Sequence, residues 1–165
     1  MSDARRIIPK ALRGVYNNWH FAPAVEAEGL IFCSGIIGTS TDGNKPQASG
    51  SVGGSASGLE GAEAVTADGE NGLAALVAVR DPVAQFETAF EALEAILIEA
   101  GAGLADVVEI TSYHVDMARH MEAFMAVKDR YLLEPYPAWS AIGVAELIVP
   151  GGLVELRAVA KVPSA

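Results

Sequence analysis

The sequence has one cysteine and few basic residues, and both scarcities limit what the protein can be. Cys33 has no second thiol with which to form an internal disulfide, and it lies in an apolar run. A reducing compartment and a buried side chain are therefore expected. Lys and Arg number 11 against 21 Asp and Glu, which gives a formal net charge of -10. Because affinity for a nucleic-acid backbone depends mostly on Lys and Arg, this balance argues against a nucleic-acid partner.

Long hydrophobic runs are scarce as well. No stretch approaches the roughly 20 apolar residues of a membrane span, and no apolar signal-peptide core follows the basic residues near the N-terminus. We therefore predict a cytoplasmic protein without a membrane partner. The 165 residues are 51% hydrophobic and 19% charged, a balance typical of one soluble domain with a substantial core.

Motifs for metals and nucleotides are also missing. His20, His114 and His120 lie in separate segments without the spacing of metal ligands. Neither a Walker loop nor a Gly-x-Gly-x-x-Gly run follows a predicted strand. We therefore predict no metal site, and nothing in the sequence favours a nucleotide.

Strand and helix patterns alternate along the rest of the chain. Two extended segments, 20–28 and 30–37, are separated by Gly29 and predict a hairpin. Asp81 and Pro82 supply an N-cap and a first-position proline for a helix. Its apolar face carries five residues at helical spacing: Phe86, Phe90, Leu93, Leu97 and Ala100. The later segments read in order as strand, helix, strand and strand: 106–115, 117–132, 138–145 and 153–162. This order predicts an α+β fold, a single sheet with two helices on one face.

A long polar segment separates the hairpin from the first helix. Residues 39–72 are dominated by Gly, Ser, Ala and acids, and only 73–79 regains the character of a short strand. A loop of this length inside a compact domain is unusual. It can act as a lid over a neighbouring cleft, or it can be surface disorder, which its composition favours.

The C-terminal segments carry a family resemblance. Tyr136-Pro-Ala-Trp-Ser-Ala-Ile-Gly and Leu153-Val-Glu-Leu-Arg-Ala-Val-Ala-Lys, read with Leu30-Ile-Phe-Cys-Ser-Gly-Ile-Ile, resemble the RidA family, also called YjgF/YER057c/UK114. The resemblance runs from about His20 to the C-terminus, so the chain is interpreted as a single RidA/YjgF-like domain with an insertion at about 39–72. It implies a chorismate-mutase-like fold and a homotrimer with small-molecule clefts at its subunit interfaces. Typical members deaminate reactive enamines and imines, chemistry that requires no cofactor.

The resemblance also assigns candidate site residues. Glu155 matches the glutamate thought to position water and handle the proton, which makes it the catalytic candidate. The alternatives are a solvent-facing acid on a strand, or a partner of Arg157 two residues along on the same face. Ser34 and Gly35 match a pair whose backbone can approach a ligand closely, although glycine also favours a bend or bulge.

Other positions depart from the family pattern. Trp139 stands where an arginine usually clamps the substrate carboxylate, and an indole offers one donor and no charge. His20 and Phe21 align with a proline-tyrosine pair, and Ala141 with a frequent cysteine. We therefore predict a divergent subgroup whose cleft accepts a neutral, aromatic or more apolar ligand, with Arg157 as a candidate replacement cation. A disused cleft, with Trp139 packed in an interface, is the alternative.

The predicted function follows from which residues of the family pattern are kept and which are replaced. Glu155 would act as acid and base in the hydrolysis or deamination of a small imine-like or amide-like metabolite. A non-catalytic protein that binds a small molecule is the alternative. The endoribonuclease activity attached to some family names is disfavoured by the acidic charge.

Overall fold

The computed structural model describes residues 4–46 and 77–164. Within them, seven strands form one sheet: β1 (Arg5–Ile7), β2 (Ala24–Ala27), β3 (Leu30–Cys33), β4 (Ile36–Ile37), β7 (Val107–His114), β8 (Ala138–Gly143) and β9 (Val154–Lys161). Two more strands, β5 (Thr39–Ser40) and β6 (Val77–Ala78), pair separately. The helices of these ranges are α1 (Arg13–Trp19), α2 (Pro82–Glu99) and α3 (Met117–Tyr131).

The large sheet is mixed and has the order β1-β2-β3-β9-β7-β8, with β4 also beside β9. Only β7 and β8 pair in parallel among the described strands, because α3 forms the crossover between them. The predicted α+β class is confirmed. The prediction of a single sheet with two helices was incomplete, since β5 and β6 form a second small sheet and α1 is a third helix.

The absence of α1 from the prediction has a local cause. Gly14, Asn17 and Asn18 are weak helix formers, so seven residues of this composition carry no helical signal. The helix is held instead by tertiary packing, because Val15 belongs to the buried core. It ends at His20, whose φ of 58° lies in the left-handed region, and β2 therefore begins at Ala24 rather than at His20.

The predicted hairpin and first long helix are confirmed. β2 and β3 pair in register from Ala24 and Cys33 to Ala27 and Leu30, and both turn residues, Glu28 and Gly29, have positive φ. At α2, the Asp81 carboxylate accepts the N–H of Ala84 at 2.8 Å. All five residues of the predicted apolar face are buried: Phe86, Phe90, Leu93, Leu97 and Ala100.

The helices cover one face of the large sheet, called here the helix face. A bulge between Val107 and Glu109 breaks the alternation of β7, after which Ile110, Ser112 and His114 point to this face and are buried. The opposite side is the open face. Its residues on the paired strands include Phe32, Tyr113, Ile142, Glu155, Arg157 and Val159.

The segment predicted as a long loop begins as a strand. Thr39 and Ser40 are paired with Ala78 and Val77, so the segment 39–72 starts as a strand and not as loop. Residues 47–72 lie outside the described ranges, and the predictions of an insertion and of a lid stay predictions. Just before this gap, the Lys45 ammonium contacts the carboxylates of Glu87 at 2.6 Å and Glu91 at 3.1 Å on α2.

No helix within residues 4–46 or 77–164 is long and apolar enough to cross a membrane. Nor do three His, Cys, Asp or Glu side chains cluster as a metal site anywhere in the part of the chain that the structure describes.

Candidate functional site

A cavity of ≈ 390 Å³ lies where α1 and α2 meet β9 and the connection between β3 and β4. Its wall is mostly apolar, with contributions from Leu12, Val15, Ile96 and Ile148. Two ionisable side chains, Glu155 and Arg157, complete the lining. The cavity thus combines a large apolar surface with a small charged region, as small-molecule sites commonly do.

Glu155 is half-buried in this wall, on the open face of β9. Burial raises the pKa of its carboxyl group above the ordinary value, since desolvation disfavours the charged form. No described residue forms an ion pair or a side-chain hydrogen bond with this carboxylate. The alternative reading, in which Glu155 pairs with Arg157, is therefore not what the structure shows.

Ser34 and Gly35 form an irregular connection next to Glu155. β3 pairs with β9 as far as Phe32 and Val159, and β4 resumes the pairing at Ile36 and Leu156. Three residues on one strand thus oppose two on the other, which is a bulge. The Ser34 hydroxyl donates to the carbonyl of Ala22 at 2.6 Å and its N–H to that of Pro23 at 2.9 Å, so hydrogen bonds fix the bulge.

The close approach that Gly35 allows is made by Glu155 itself. A Cβ atom built on Gly35 would lie 2.2 Å from Oε1 and 2.6 Å from Cδ of the Glu155 carboxylate. The missing side chain therefore makes the space in which this carboxylate lies. The bulge predicted as one role of Gly35 is present, whereas the close approach of its backbone to a ligand stays a prediction.

Five of the predicted site residues line the same cavity: Phe21, Ser34, Gly35, Glu155 and Arg157. Arg157 is exposed, so its guanidinium can reach solvent or a ligand. Phe21 lies beside Trp19, with ring centroids 6.4 Å apart. The grouping joins residues from β9, from the β3–β4 bulge and from the segment after α1.

Trp139 and Ala141 lie elsewhere, on β8. They pair with Ile110 and Ser112 and so share the helix face, whereas Glu155 pairs with Tyr113 on the open face. The indole N–H of Trp139 donates to the Ser112 hydroxyl at 2.8 Å, and the Lys128 ammonium lies 5.0 Å from the ring centroid. Within one chain, Trp139 and Glu155 are therefore on opposite sides of the sheet. His20 is exposed and is not among the cavity residues.

Buried polar groups behind Trp139 were not singled out from the sequence. His114 Nε2 lies 2.8 Å from the Ser112 hydroxyl, and the ring packs edge-on against Phe124. Burial lowers the pKa of His114, which favours its neutral form. The alternating positions 112 and 114 on a strand could have indicated a shared face, but not that this face would be buried.

Cys33 is buried at the end of β3, as the sequence predicts. Burial raises the pKa of its thiol to about 12. A thiol that stays protonated at neutral pH is a poor nucleophile, so Cys33 is a core residue beside the cavity.

Comparison with known proteins agrees with this architecture. A family model described as Endoribonuclease L-PSP matches residues 55–162. The RutC family protein YjgH of Escherichia coli (strain K12) is 26% identical over 164 residues, which are 99% of this chain and 98% of that protein. A solved structure of protein YJGH has a TM-score of 0.69 at 25% identity and 99% coverage of both chains.

A second structure extends the agreement in fold. Rv2704 from Mycobacterium tuberculosis, a member of the YjgF/YER057c/UK114 family, has a TM-score of 0.65 at 23% identity, with 96% of this chain and 99% of that chain covered. The matched family range includes Trp139 and Glu155, whereas Ser34 and Gly35 precede it. The similarity to YjgH spans these earlier residues as well. The chain therefore belongs to the endoribonuclease L-PSP family, the RidA or YjgF family that its C-terminal sequence resembles.

Proposed function

We propose that the protein hydrolyses a small imine-like or amide-like metabolite with an apolar substituent, and that Glu155 is the acid and base of the reaction. One observation carries this proposal. The Glu155 carboxyl lies unpaired by described residues in the wall of a mostly apolar cavity, and burial raises its pKa. A carboxyl group with a raised pKa can give and take a proton closer to neutral pH than an exposed one.

For an imine, the chemistry needs one proton carrier and one water molecule. Protonated Glu155 gives its proton to the imine nitrogen, which makes the carbon more electrophilic. The resulting carboxylate accepts a proton from water as the water oxygen bonds to that carbon. Glu155 then returns this proton to nitrogen and takes up the hydroxyl proton as the C–N bond breaks, which releases ammonia and a carbonyl compound and leaves Glu155 protonated as at the start. No redox step occurs, and no cofactor is required.

The cavity wall supports an apolar substrate. Leu12, Val15 and Ile96 offer hydrocarbon surface, and Arg157 offers a cation in the same cavity. Arg157 is therefore the residue we assign to a substrate carboxylate, in the role that an arginine at the position of Trp139 would otherwise take. The backbone of Ser34 and Gly35 borders the reacting group.

The proposal includes a homotrimer with ligand clefts between subunits. Trp139 and Ala141 are separated from Glu155 by the sheet within one chain, so they can reach a Glu155 site only across an interface with another copy. The open face supports such an interface, because Phe32 and Ile142 remain 39% and 43% exposed there.

The central test is the Glu155→Gln variant. Imines generated enzymatically from leucine, phenylalanine and other apolar amino acids serve as substrates, with ammonia release as the readout. We expect at least a 100-fold loss of kcat/KM, because general acid-base catalysis contributes about 100-fold or more. The control is Glu122→Gln, which makes the same change at an exposed position on α3. Equal rates in the wild type and the Glu155 variant would contradict the assignment.

The apolar cavity wall gives a second expectation on the same assay. 2-Iminobutanoate has the same carboxylate as the other imines but only a short hydrocarbon part, so it should react more slowly than the imines of larger apolar amino acids. A preference for 2-iminobutanoate would show that Trp139 does not change what the cleft accepts.

A non-catalytic protein that binds a small molecule is the second candidate. The observation in its favour is the large share of apolar wall, together with a Trp139 indole whose single donor is already bonded to Ser112. It predicts that ligands bind without turnover and that Glu155→Gln leaves this binding intact.

A further inference from the structure

Trp19 is the last residue of α1 and lines the cavity with Glu155 and Arg157. Its indole Nε1 is buried from solvent and has no hydrogen-bond partner in the described ranges. It is also the one buried side-chain nitrogen or oxygen there that lacks a partner. Buried polar groups nearly always form hydrogen bonds, so a donor without a partner in a residue of the cavity wall is unusual.

The second tryptophan of the chain shows the usual outcome. Trp139 also has a partly buried indole, but its N–H donates to the Ser112 hydroxyl at 2.8 Å. The donor of Trp19 has no such acceptor within the described residues. Trp19 lines the cavity as a residue, but its Nε1 atom is buried from solvent, so an acceptor in the cavity would reach this donor only after the indole turns.

The surroundings of Trp19 allow a small adjustment toward a ligand. The residue stands at the helix end, next to His20 with φ 58°, and its ring touches Phe21 in a tilted arrangement. Phe21 is itself part of the lining and is partly exposed. A change in the indole torsions would move the ring against the exposed Phe21, and the contacts of Trp19 with the buried core would have to be kept or remade.

We infer that Trp19 donates its indole N–H to an acceptor atom of the ligand that occupies the cavity. The inference rests on the proposed function only in taking the cavity as a ligand site. It narrows the ligand class to small molecules that join an apolar body to a carbonyl, imine or carboxylate acceptor. Arg157 and Trp19 then provide two separate polar contacts, and hydrocarbons without an acceptor are rejected because they leave the indole unpaired.

Phenylpyruvate is a suitable probe, since it has an aromatic body, a keto oxygen and a carboxylate, and it is the product expected from the phenylalanine imine. We expect Trp19→Phe to weaken phenylpyruvate binding about tenfold, the loss typical of one hydrogen bond to a ligand. The matched control is Tyr16→Phe, which removes a polar group from the exposed side of the same helix without touching the cavity. Calorimetry measures both affinities.

A second measurement uses the intact protein and does not depend on how the variant folds. With ¹⁵N labelling, the chain gives two indole N–H signals, which Trp19→Phe and Trp139→Phe assign. Saturating phenylpyruvate should move the Trp19 indole proton downfield, as hydrogen bonding does. An unmoved Trp19 signal, or equal affinity in the Trp19 variant, would overturn the inference.

The two proposals fail in different ways. If phenylpyruvate binds, Glu155→Gln is inactive and Trp19→Phe binds normally, the Trp19 inference is wrong and the catalytic proposal stands. If Trp19 responds to phenylpyruvate while Glu155→Gln keeps full activity, the catalytic proposal is wrong. If no probe of this class binds to the wild type, the cavity is not a site for such ligands and both proposals fall.

Discussion

At the scale of single residues, the site depends on a side chain that is absent. Gly35 leaves room for the carboxylate of Glu155, whose Oε1 lies 2.2 Å from where a Cβ would stand. The same enclosure removes water from the carboxyl group and raises its pKa. The bulge that carries Ser34 and Gly35 therefore sets both the position of the Glu155 carboxylate and its affinity for a proton.

Gly35→Ala should lower the activity while leaving the stability of the fold nearly unchanged. The added methyl group meets the far end of a flexible side chain, so the carboxylate moves and the backbone stays in place. We expect kcat/KM on the imine panel to fall by about 100-fold, the loss that a misplacement of about 1 Å can cause, with little change in Tm. Gly143→Ala is the control, because its Cβ would meet Met117 at an ordinary 3.7 Å. Full activity in the Gly35 variant would show that the carboxylate position is unimportant.

The raised pKa of Glu155 predicts a pH dependence of stability. The folded state holds this proton more tightly than the unfolded chain, whose group titrates near 4.5. The free energy of unfolding of the wild type should therefore fall, relative to Glu155→Gln, as pH rises from that value through the raised pKa. Above the raised pKa the difference should level off. Urea unfolding of both proteins across this range checks the sign, and a difference that is constant with pH would contradict it.

At the scale of elements, one amide side chain joins three segments. Gln85 is buried on α2, and its Nε2 donates to the carbonyls of Val79 at 2.8 Å and Gly151 at 3.1 Å. Its Oε1 accepts the N–H of Leu153 at 2.6 Å. Every polar atom of the amide is thus used to hold the approach to α2 against the segment that precedes β9, the strand of Glu155.

Gln85→Leu should therefore be strongly destabilising. The replacement has a similar volume but leaves the N–H of Leu153 and two carbonyls without their partner, and we expect a loss of about 3 kcal/mol, since each unpaired buried group costs about 1–3 kcal/mol. Thr88→Val on the same helix is the control. Its hydroxyl bonds only the carbonyl of Ala84, one turn back, so its loss should stay below about 1 kcal/mol. Equal losses in thermal or urea unfolding would argue against the role of Gln85.

The elements also show how far sequence reasoning reached. α2 and β9 were predicted well because their apolar residues repeat at the period of a helix and of a strand, and burial enforces that period. α1 was missed because tertiary contacts, and not its own composition, hold it. The cavity was out of reach for the same reason, since Leu12, Trp19 and Ile148 meet there from distant parts of the chain. The family motif identified Glu155 and Trp139 but did not indicate that a sheet separates them.

At the scale of the whole molecule, the large sheet is covered unevenly. The helix face is packed by α1, α2 and α3, whereas the open face keeps Phe32 and Ile142 in contact with solvent. An apolar surface on a sheet is typically covered by another protein surface. The proposed trimer would cover it with two further copies of this chain.

We expect light scattering to give three times the 17.1 kDa of one chain. Phe32→Glu should shift the mass toward the monomer, because it adds a charge to the surface that would be desolvated on assembly. Ile98→Glu is the control, since Ile98 is an exposed apolar residue on α2, away from the open face. A wild-type monomer, or a Phe32 variant that still forms the trimer, would count against an interface on this face.

The pairing of β5 with β6 has a consequence for protein engineering. Thr39 lies beside Ala78, so the chain departs and returns at one two-stranded ladder, which Lys45 fastens to α2. The ladder holds these two described segments side by side, and in general doubling the length of a flexible connection costs only about 0.6 kcal/mol in closure entropy. We expect a reporter domain inserted between these two segments to leave the topology of the large sheet unchanged.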